Sequence, residues 1–468
     1  MRAESSPLSF ALVGHTNAGK TSLMRTLTRR ADFGEVSSQP GTTRHIEALL
    51  LKAGPQTLRF LDTPGLEDAP ALLDYLQELD ARLSREQRLQ AFLGGPAAEG
   101  DFEQEAKVLR CLLEADAALL VIDARETPLP KFESEIEALM LCAKPLMPVL
   151  NFVQSAASQE PAWRRLLAAH GLHAYVRFDA VAPFVGSEQH LYSDLGALLP
   201  QRRQALQAVA THLRQEAEAR HLASLRLLAE MLLSLAATRE ALDKPSQAAP
   251  QIRAARIQAF RGRVAARSLQ GLQTLLALHG FAPDSAEVAE LPQLAGRWEA
   301  DLFEPEALKD AGQRLGRGAA IGGAIGLGLD VALAGLSLGA ATSVGAAVGG
   351  VLSQGGGLVG RRLLNKLRGS IDLSLEDSAL LLLARQHLSL LAGLEQRGHA
   401  ALGILRTELG LWLDAQQSAA LLGVLAAARS HPEWAEASVA AAQDKLRQKH
   451  LQALLGQLQA LAGEAPQR

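Results

Sequence analysis

The sequence predicts an α/β domain built on a doubly wound sheet, followed by an all-α helical domain. Three observations predict this. The stretch Gly14-His15-Thr16-Asn17-Ala18-Gly19-Lys20-Thr21-Ser22 fits G-x-x-x-x-G-K-[ST], with an apolar run, Phe10 to Val13, before it and a helix-like run, Leu23 to Leu27, after it. Continuous apolar runs such as Ala117 to Ile122 read as strands of a parallel sheet covered on both faces. The chain is 48% hydrophobic but only 4% aromatic, and beyond Asp194 turn residues thin out while Leu and Ala dominate, a composition that favours long helices.

The Gly14 to Ser22 stretch sits between strand and helix as its chemistry requires. Gly14 and Gly19 let the backbone curl so that its N–H groups face phosphate oxygens, and the helix that follows adds its positive dipole end. Lys20 then neutralises β- and γ-phosphate charge, and the Thr21 hydroxyl holds Mg²⁺. Net charge is −3, so no overall field draws in nucleic acid or an anionic membrane, and no nucleic-acid site stands out. Cys111 and Cys142 lack metal-ligand spacing and lie in apolar runs. That suits buried packing in a reduced, cytoplasmic compartment. The polar start, Met1 to Pro7, is not that of a secretory signal peptide.

After the phosphate-binding turn come Pro40-Gly41-Thr42-Thr43-Arg44 and an alternating strand, Ile46 to Leu51. A threonine in such a loop can close on Mg²⁺ and the γ-phosphate, and Thr42 and Thr43 are both candidates. Leu58 to Leu61 reads as a buried strand ending in Asp62-Thr63-Pro64-Gly65. There Asp62 can hold Mg²⁺ through water and the Gly65 N–H can reach the γ-phosphate.

These three pieces together resemble the Era/TrmE/EngA branch of the translation-factor-related GTPases, over about residues 8 to 190. The resemblance implies a Ras-like fold, binding of GTP and GDP, and Mg²⁺-dependent hydrolysis served by Lys20, Thr43 and Gly65, with Thr21, Thr43 and Asp62 around the metal. It also implies a K⁺ ion held by Asn17, and pairing of G domains. Leu66 stands where a water-orienting Gln is found in Ras-type enzymes, which leaves Glu67 and Asp68 as nearby acidic candidates. The base-reading motif departs from N-K-x-D. Asn151 is kept, but Phe152 replaces the Lys and Gln154 replaces the Asp whose carboxylate would accept two guanine hydrogen bonds. Asp179, just after the expected strand Ala174 to Val176, is the candidate to take over part of that contact.

Between these motifs, residues 69–115 form a helical insertion split by Gly94-Gly95-Pro96. The expected G domain ends near residue 193, and the expected helical domain, 194–468, runs through Gln201 to Leu242, Ile252 to His279, Leu373 to Leu461. Inside it, Gly318 to Gly360 is glycine-rich and apolar with Asp330 its only charge, flanked by Arg314 and Arg317 before and Arg361, Arg362, Lys366 and Arg368 after. Two readings stand: a helical hairpin packed within the bundle, or one that meets the inner membrane or a membrane protein, both basic flanks on one side. A G domain followed by a long helical domain is similar to a bacterial family of unassigned function. The expected activity is a GTP-hydrolysing switch acting on the helical half. The alternatives are a membrane-associated nucleotide-binding scaffold with negligible turnover, and a GTPase of tRNA modification or ribosome assembly.

Overall fold

A computed structural model describes residues 7–29, 46–80, 82–181, 183–184, 186–242, 249–281, 336–338, 371–397, 413–436 and 442–463. Thr42 and Thr43 lie outside these residues, as does the Gly318 to Gly360 stretch apart from three residues. The chain divides into two compact units, Met1–Ala219 with Gln396–Gly403, and Arg220–Glu395 with Ile404–Arg468.

The first unit is built on six strands: β1 (Leu8–Val13), β2 (Glu47–Ala53), β3 (Gln56–Asp62), β4 (Ala117–Asp123), β5 (Leu146–Asn151) and β6 (Val176–Arg177). Their order across the sheet is β2-β3-β1-β4-β5-β6, and only β2 runs antiparallel to its neighbour. The central strands β1, β4 and β5 are buried on both faces, and successive residues enter different cores. Ala11, Val13, Ala118, Leu120 and Ile122 pack beneath one layer of helices. Phe10, Leu12, Ala117, Leu119 and Val121 pack beneath the other. The continuous apolar runs of the sequence have this cause.

Helices α1 (Lys20–Thr28) and α7 (Ser187–Leu198) and the start of α8 (Arg203–Ala237) cover the Phe10 face, where Leu206, Val209 and Leu213 of α8 are buried. The opposite face is covered by α2 (Ala69–Glu78), α3 (Arg85–Leu93), α4 (Glu103–Glu114), α5 (Pro130–Met140) and α6 (Glu160–Ala169). Helices α2 to α4 lie within residues 69–115, the stretch read above as a helical insertion. Their starts are written locally: Asp68 accepts the Ala71 N–H, and Ser84 with Gln87 makes a reciprocal capping box. Phe92 is fully buried there against the rings of Tyr75 and Phe102. Cys111 and Cys142 are buried in the same core, and burial pushes their thiols up to about 11 and about 12.

The second unit is helix-rich: the rest of α8, α9 (Pro250–Leu278), α10 (Asp377–Glu395), α11 (Ala415–Ala428) and α12 (Lys445–Gly463) share one apolar core. The all-α expectation needs correction, because three strands run through it: β7 (Arg239–Leu242), β8 (Leu336–Leu338) and β9 (Ile371–Leu375), in the antiparallel order β7-β9-β8. The helix expected to reach Leu242 therefore ends at Ala237. The signal was present in Ile371-Asp372-Leu373-Ser374-Leu375, whose apolar residues alternate with period two, and Leu373 and Leu375 are buried. Leu336–Leu338 belongs to this sheet and not to a helical arm. Among the described residues, no helix is long and apolar enough to cross a membrane.

Truncating Phe92 should test whether the insertion belongs to the core of the first unit. Phe92→Ala is expected to cost about 3–5 kcal/mol in the unfolding of that unit, measured by denaturant titration, because it opens a cavity among Tyr75 and Phe102.

Candidate functional site

The phosphate-binding turn runs from the end of β1 into α1. Three of its residues take left-handed backbone angles: Gly14 (φ 129), Asn17 (φ 67) and Gly19 (φ 92). At Gly19 the requirement is also steric, since a Cβ would stand 2.4 Å from Asn151 Nδ2. No side chain caps α1, so its first N–H groups remain available to an anion.

Lys20 is 7% exposed and its Nζ donates to the carbonyls of Gly14 and His15, each at 2.9 Å. These bonds fold the side chain back over the turn. Burial lowers its ammonium to about 8, with Asp62 and Glu135 pulling the other way. A phosphate ligand would supply the negative charge that burial withholds. Next to it, Thr21 Oγ1 donates to Asp62 Oδ2 at 2.6 Å, joining the start of α1 to the end of β3. Burial pushes the Asp62 carboxyl above the ordinary carboxylate range, opposed by the Thr21 bond and by Lys20. Its other oxygen, Oδ1, is buried without a hydrogen-bond partner. A hydroxyl and a carboxylate with a spare buried oxygen, side by side at the foot of the turn, form a hard-oxygen donor set suited to Mg²⁺.

Thr63 Oγ1 donates to Leu12 O at 2.6 Å and so fastens the chain after β3 to β1. Pro64 and Gly65 follow, and Gly65 lies directly against the turn: a Cβ there would stand 2.4 Å from Thr16 Oγ1 and 2.7 Å from Thr16 N. Ser22 and Ala18 are buried, while Asn17 is exposed.

At the other end, Asn151 is fully buried and joins three segments. Its Nδ2 donates to Ala18 O at 3.1 Å, and its Oδ1 accepts from Phe152 N at 3.0 Å and Ala180 N at 2.9 Å. Phe152 sits at φ 58, and the Arg125 guanidinium lies over its ring 4.0 Å from the centroid. Arg125 is itself clasped by Asp123, through Nε and Nη2. Asp179 is buried beside Ala180 and accepts the Val181 N–H, whereas Gln154 is exposed.

Four groups around the turn were not legible in the sequence. The imidazole of His15 joins Glu135 Oε1 (2.5 Å from Nδ1) to Lys131 Nζ (3.0 Å from Nε2). Glu105 is likewise buried, and its Oε1 accepts the N–H groups of Glu67 and Asp68, both at 2.8 Å. Arg125 completes the set. Lone charges so far along the chain from the turn, at positions 105, 125, 131 and 135, carry no local signal. Only chain folding brings them to it.

Beside this geometry stand the likenesses to known proteins. A family model described as a domain of unknown function (DUF3482) matches residues 164–457, well over half of the 468 residues. The chain belongs to the DUF3482 family. A second model, described as a 50S ribosome-binding GTPase, matches residues 9–152. The first unit of this DUF3482 protein is a P-loop GTPase domain, as the three sequence motifs led us to expect. The chain is 29% identical over 212 residues to the probable GTP-binding protein EngB of Anaeromyxobacter sp. (strain K), covering 42% of this chain and 86% of that one. It is 30% identical over 181 residues to GTPase Der of Stenotrophomonas maltophilia (strain K279a), covering 37% of this chain and 36% of Der. Over 64 residues it is 53% identical to the tRNA modification GTPase MnmE of Granulibacter bethesdensis, covering 13% of this chain and 14% of MnmE.

The low-lying Lys20 ammonium has a measurable consequence. In the nucleotide-free protein Lys20 loses its proton as pH rises through about 8, while a bound triphosphate would hold that proton on. Affinity for GTP at constant Mg²⁺ should therefore fall above pH 8, by up to about tenfold per unit, in a titration followed by calorimetry.

Proposed function

We propose that this protein is a Mg²⁺-dependent switch that binds GTP, hydrolyses it to GDP and phosphate, and passes the presence of the γ-phosphate to the helical part of the chain. The observation that carries this reading is the Thr21 to Asp62 pair: a 2.6 Å hydrogen bond at the foot of the turn, with Asp62 Oδ1 buried and unpartnered beside it. Such an oxygen is costly to leave without a partner, by about 1–3 kcal/mol, unless a ligand completes it.

Each residue of the turn then has a task. The amides of Gly14 to Thr21 wrap the β-phosphate, helped by the dipole of α1. Lys20 leaves the Gly14 and His15 carbonyls and lies along the β- and γ-phosphates. Thr21 and Asp62, with Thr43, would hold Mg²⁺, whose positive charge would offset that of the phosphate oxygens. The Gly65 N–H senses the γ-phosphate. Attack by water needs no covalent intermediate, so the protein works by positioning and electrostatics. Asn17 presents its carboxamide at the rim of the turn, where it would hold K⁺.

Base recognition depends on Asn151, which sets the Ala180 amide and the turn in one frame. Asp179, next to that amide, offers a carboxylate for the guanine ring N–H and amine, in place of the absent Asp of the motif. Phe152 offers an apolar surface where the Lys side chain would lie.

Removing the cation should abolish this binding. Lys20→Ala is expected to weaken GTP binding at least about 100-fold, as two charge-assisted bonds to phosphate disappear; retained micromolar affinity would contradict the assignment. Titration of purified protein with GTP, GDP and ATP tests the base: a preference for guanine that is lost in Asp179→Ala supports the role of Asp179. Exchanging Na⁺ for K⁺ should raise the hydrolysis rate, measured by phosphate release, and equal rates would remove the Asn17 site.

A further inference from the structure

The segment after Gly65 is held from an unexpected side. Residues 63–68 have no regular secondary structure, so their N–H groups need partners from elsewhere. For Glu67 and Asp68 that partner is a single atom, Oε1 of Glu105, 2.8 Å from each. Glu105 is 2% exposed and lies in the first turn of α4, the last helix of the insertion, where the helix dipole supports a negative charge. Leu66, directly before these two residues, is 1% exposed in the core formed by α2 to α6. Asp68 in turn caps α2 by accepting the Ala71 N–H. On its other side the segment meets the turn at Gly65 and Thr16 with no space for a Cβ.

We propose that Glu105 is the positioning residue for the Gly65 amide, and that through it the helical insertion, α2 to α4, responds to the third phosphate. The argument rests on the switch reading above. Gly65 is wedged against Thr16, and the next three residues are fixed to the insertion by one buried side chain and two charge-assisted hydrogen bonds. A shift of Gly65 toward a γ-phosphate must therefore move Glu105, and α4 with it. Loss of the γ-phosphate returns both. Glu105 acts through the backbone of Glu67 and Asp68, and so sets where the sensing amide stands. Of the two acidic side chains after Gly65, that of Asp68 accepts the Ala71 N–H at the start of α2.

The test compares wild type, Glu105→Ala and Glu105→Gln in the full chain, with GDP and a non-hydrolysable GTP analogue. In Glu105→Ala, affinity for the analogue should fall about tenfold while affinity for GDP changes less than twofold, and kcat should fall more than KM rises. Glu105→Gln keeps a carbonyl oxygen that can accept both N–H groups, so it should restore most of the difference. Equal loss for both nucleotides, or no loss for either, would overturn the proposal. A wild type that fails to distinguish the analogue from GDP would instead remove the switch reading. If Glu105→Ala does not fold, hydrogen exchange on the wild type decides: amides of α4 should differ in protection between the analogue and GDP, and identical protection overturns the role of Glu105.

Discussion

The hydrogen bond from Thr21 to Asp62 joins two segments that are 41 residues apart in sequence, and the rest of the site depends on that junction. It fixes the start of α1 against the end of β3, so the helix terminus, the Lys20 ammonium and the Asp62 carboxylate share one buried volume. The low dielectric of that volume acts in both directions. It lowers the ammonium and raises the carboxyl, each an unfavourable shift in the free protein. It also makes every interaction with an entering anion and its metal stronger than the same interaction in water. The site is thus held in a state that a charged ligand relieves.

The sheet supplies the frame that makes this possible. Parallel strands β1, β3 and β4 end on the same side, and their last residues deliver the turn, the Asp62 to Gly65 segment and the Asp123–Arg125 clasp to one edge. Ligands of open α/β sheets bind outside such carboxyl ends. Two buried side chains then tie neighbouring loops to the frame. Asn151 holds the turn to the loop after β6, and Glu105 holds the segment after Gly65 to the insertion. Both accept backbone N–H groups that no strand or helix satisfies, and Asn151 also donates to Ala18 O of the turn. The insertion is therefore part of the site's architecture and not an addition to its periphery.

The altered base motif gains physical sense in this frame. Phe152 lies against Gly19, with the Arg125 guanidinium on its ring. An aromatic ring and a stacked cation thus stand together beside the turn. Asp123 sets the orientation of that cation by a two-pronged contact. Asn151 keeps the backbone role that its position demands, whatever its neighbours are.

The phosphate-binding turn, the Asp62 to Gly65 segment and the strands of the sheet were legible because their signals are local: glycine spacing, a lysine and hydroxyl at fixed offsets, and apolar runs of strand length. The helices of residues 69–115 and the Gly94-Gly95-Pro96 break between them were also expected from the sequence. The strand Ile371–Leu375 was missed although its alternation is plain, because a short strand among long helices is outweighed by its surroundings. The roles of Glu105, Glu135, Lys131 and Arg125 could not be read at all. Each is one charged residue on an otherwise ordinary helix or loop, and its partner is chosen by how the layers pack. The sequence by itself determined that a triphosphate-binding turn would form, since that geometry needs only neighbouring residues. Tertiary structure alone decided which distant carboxylates would hold its loops, since a buried charge acquires a partner only when folding brings one within hydrogen-bond reach.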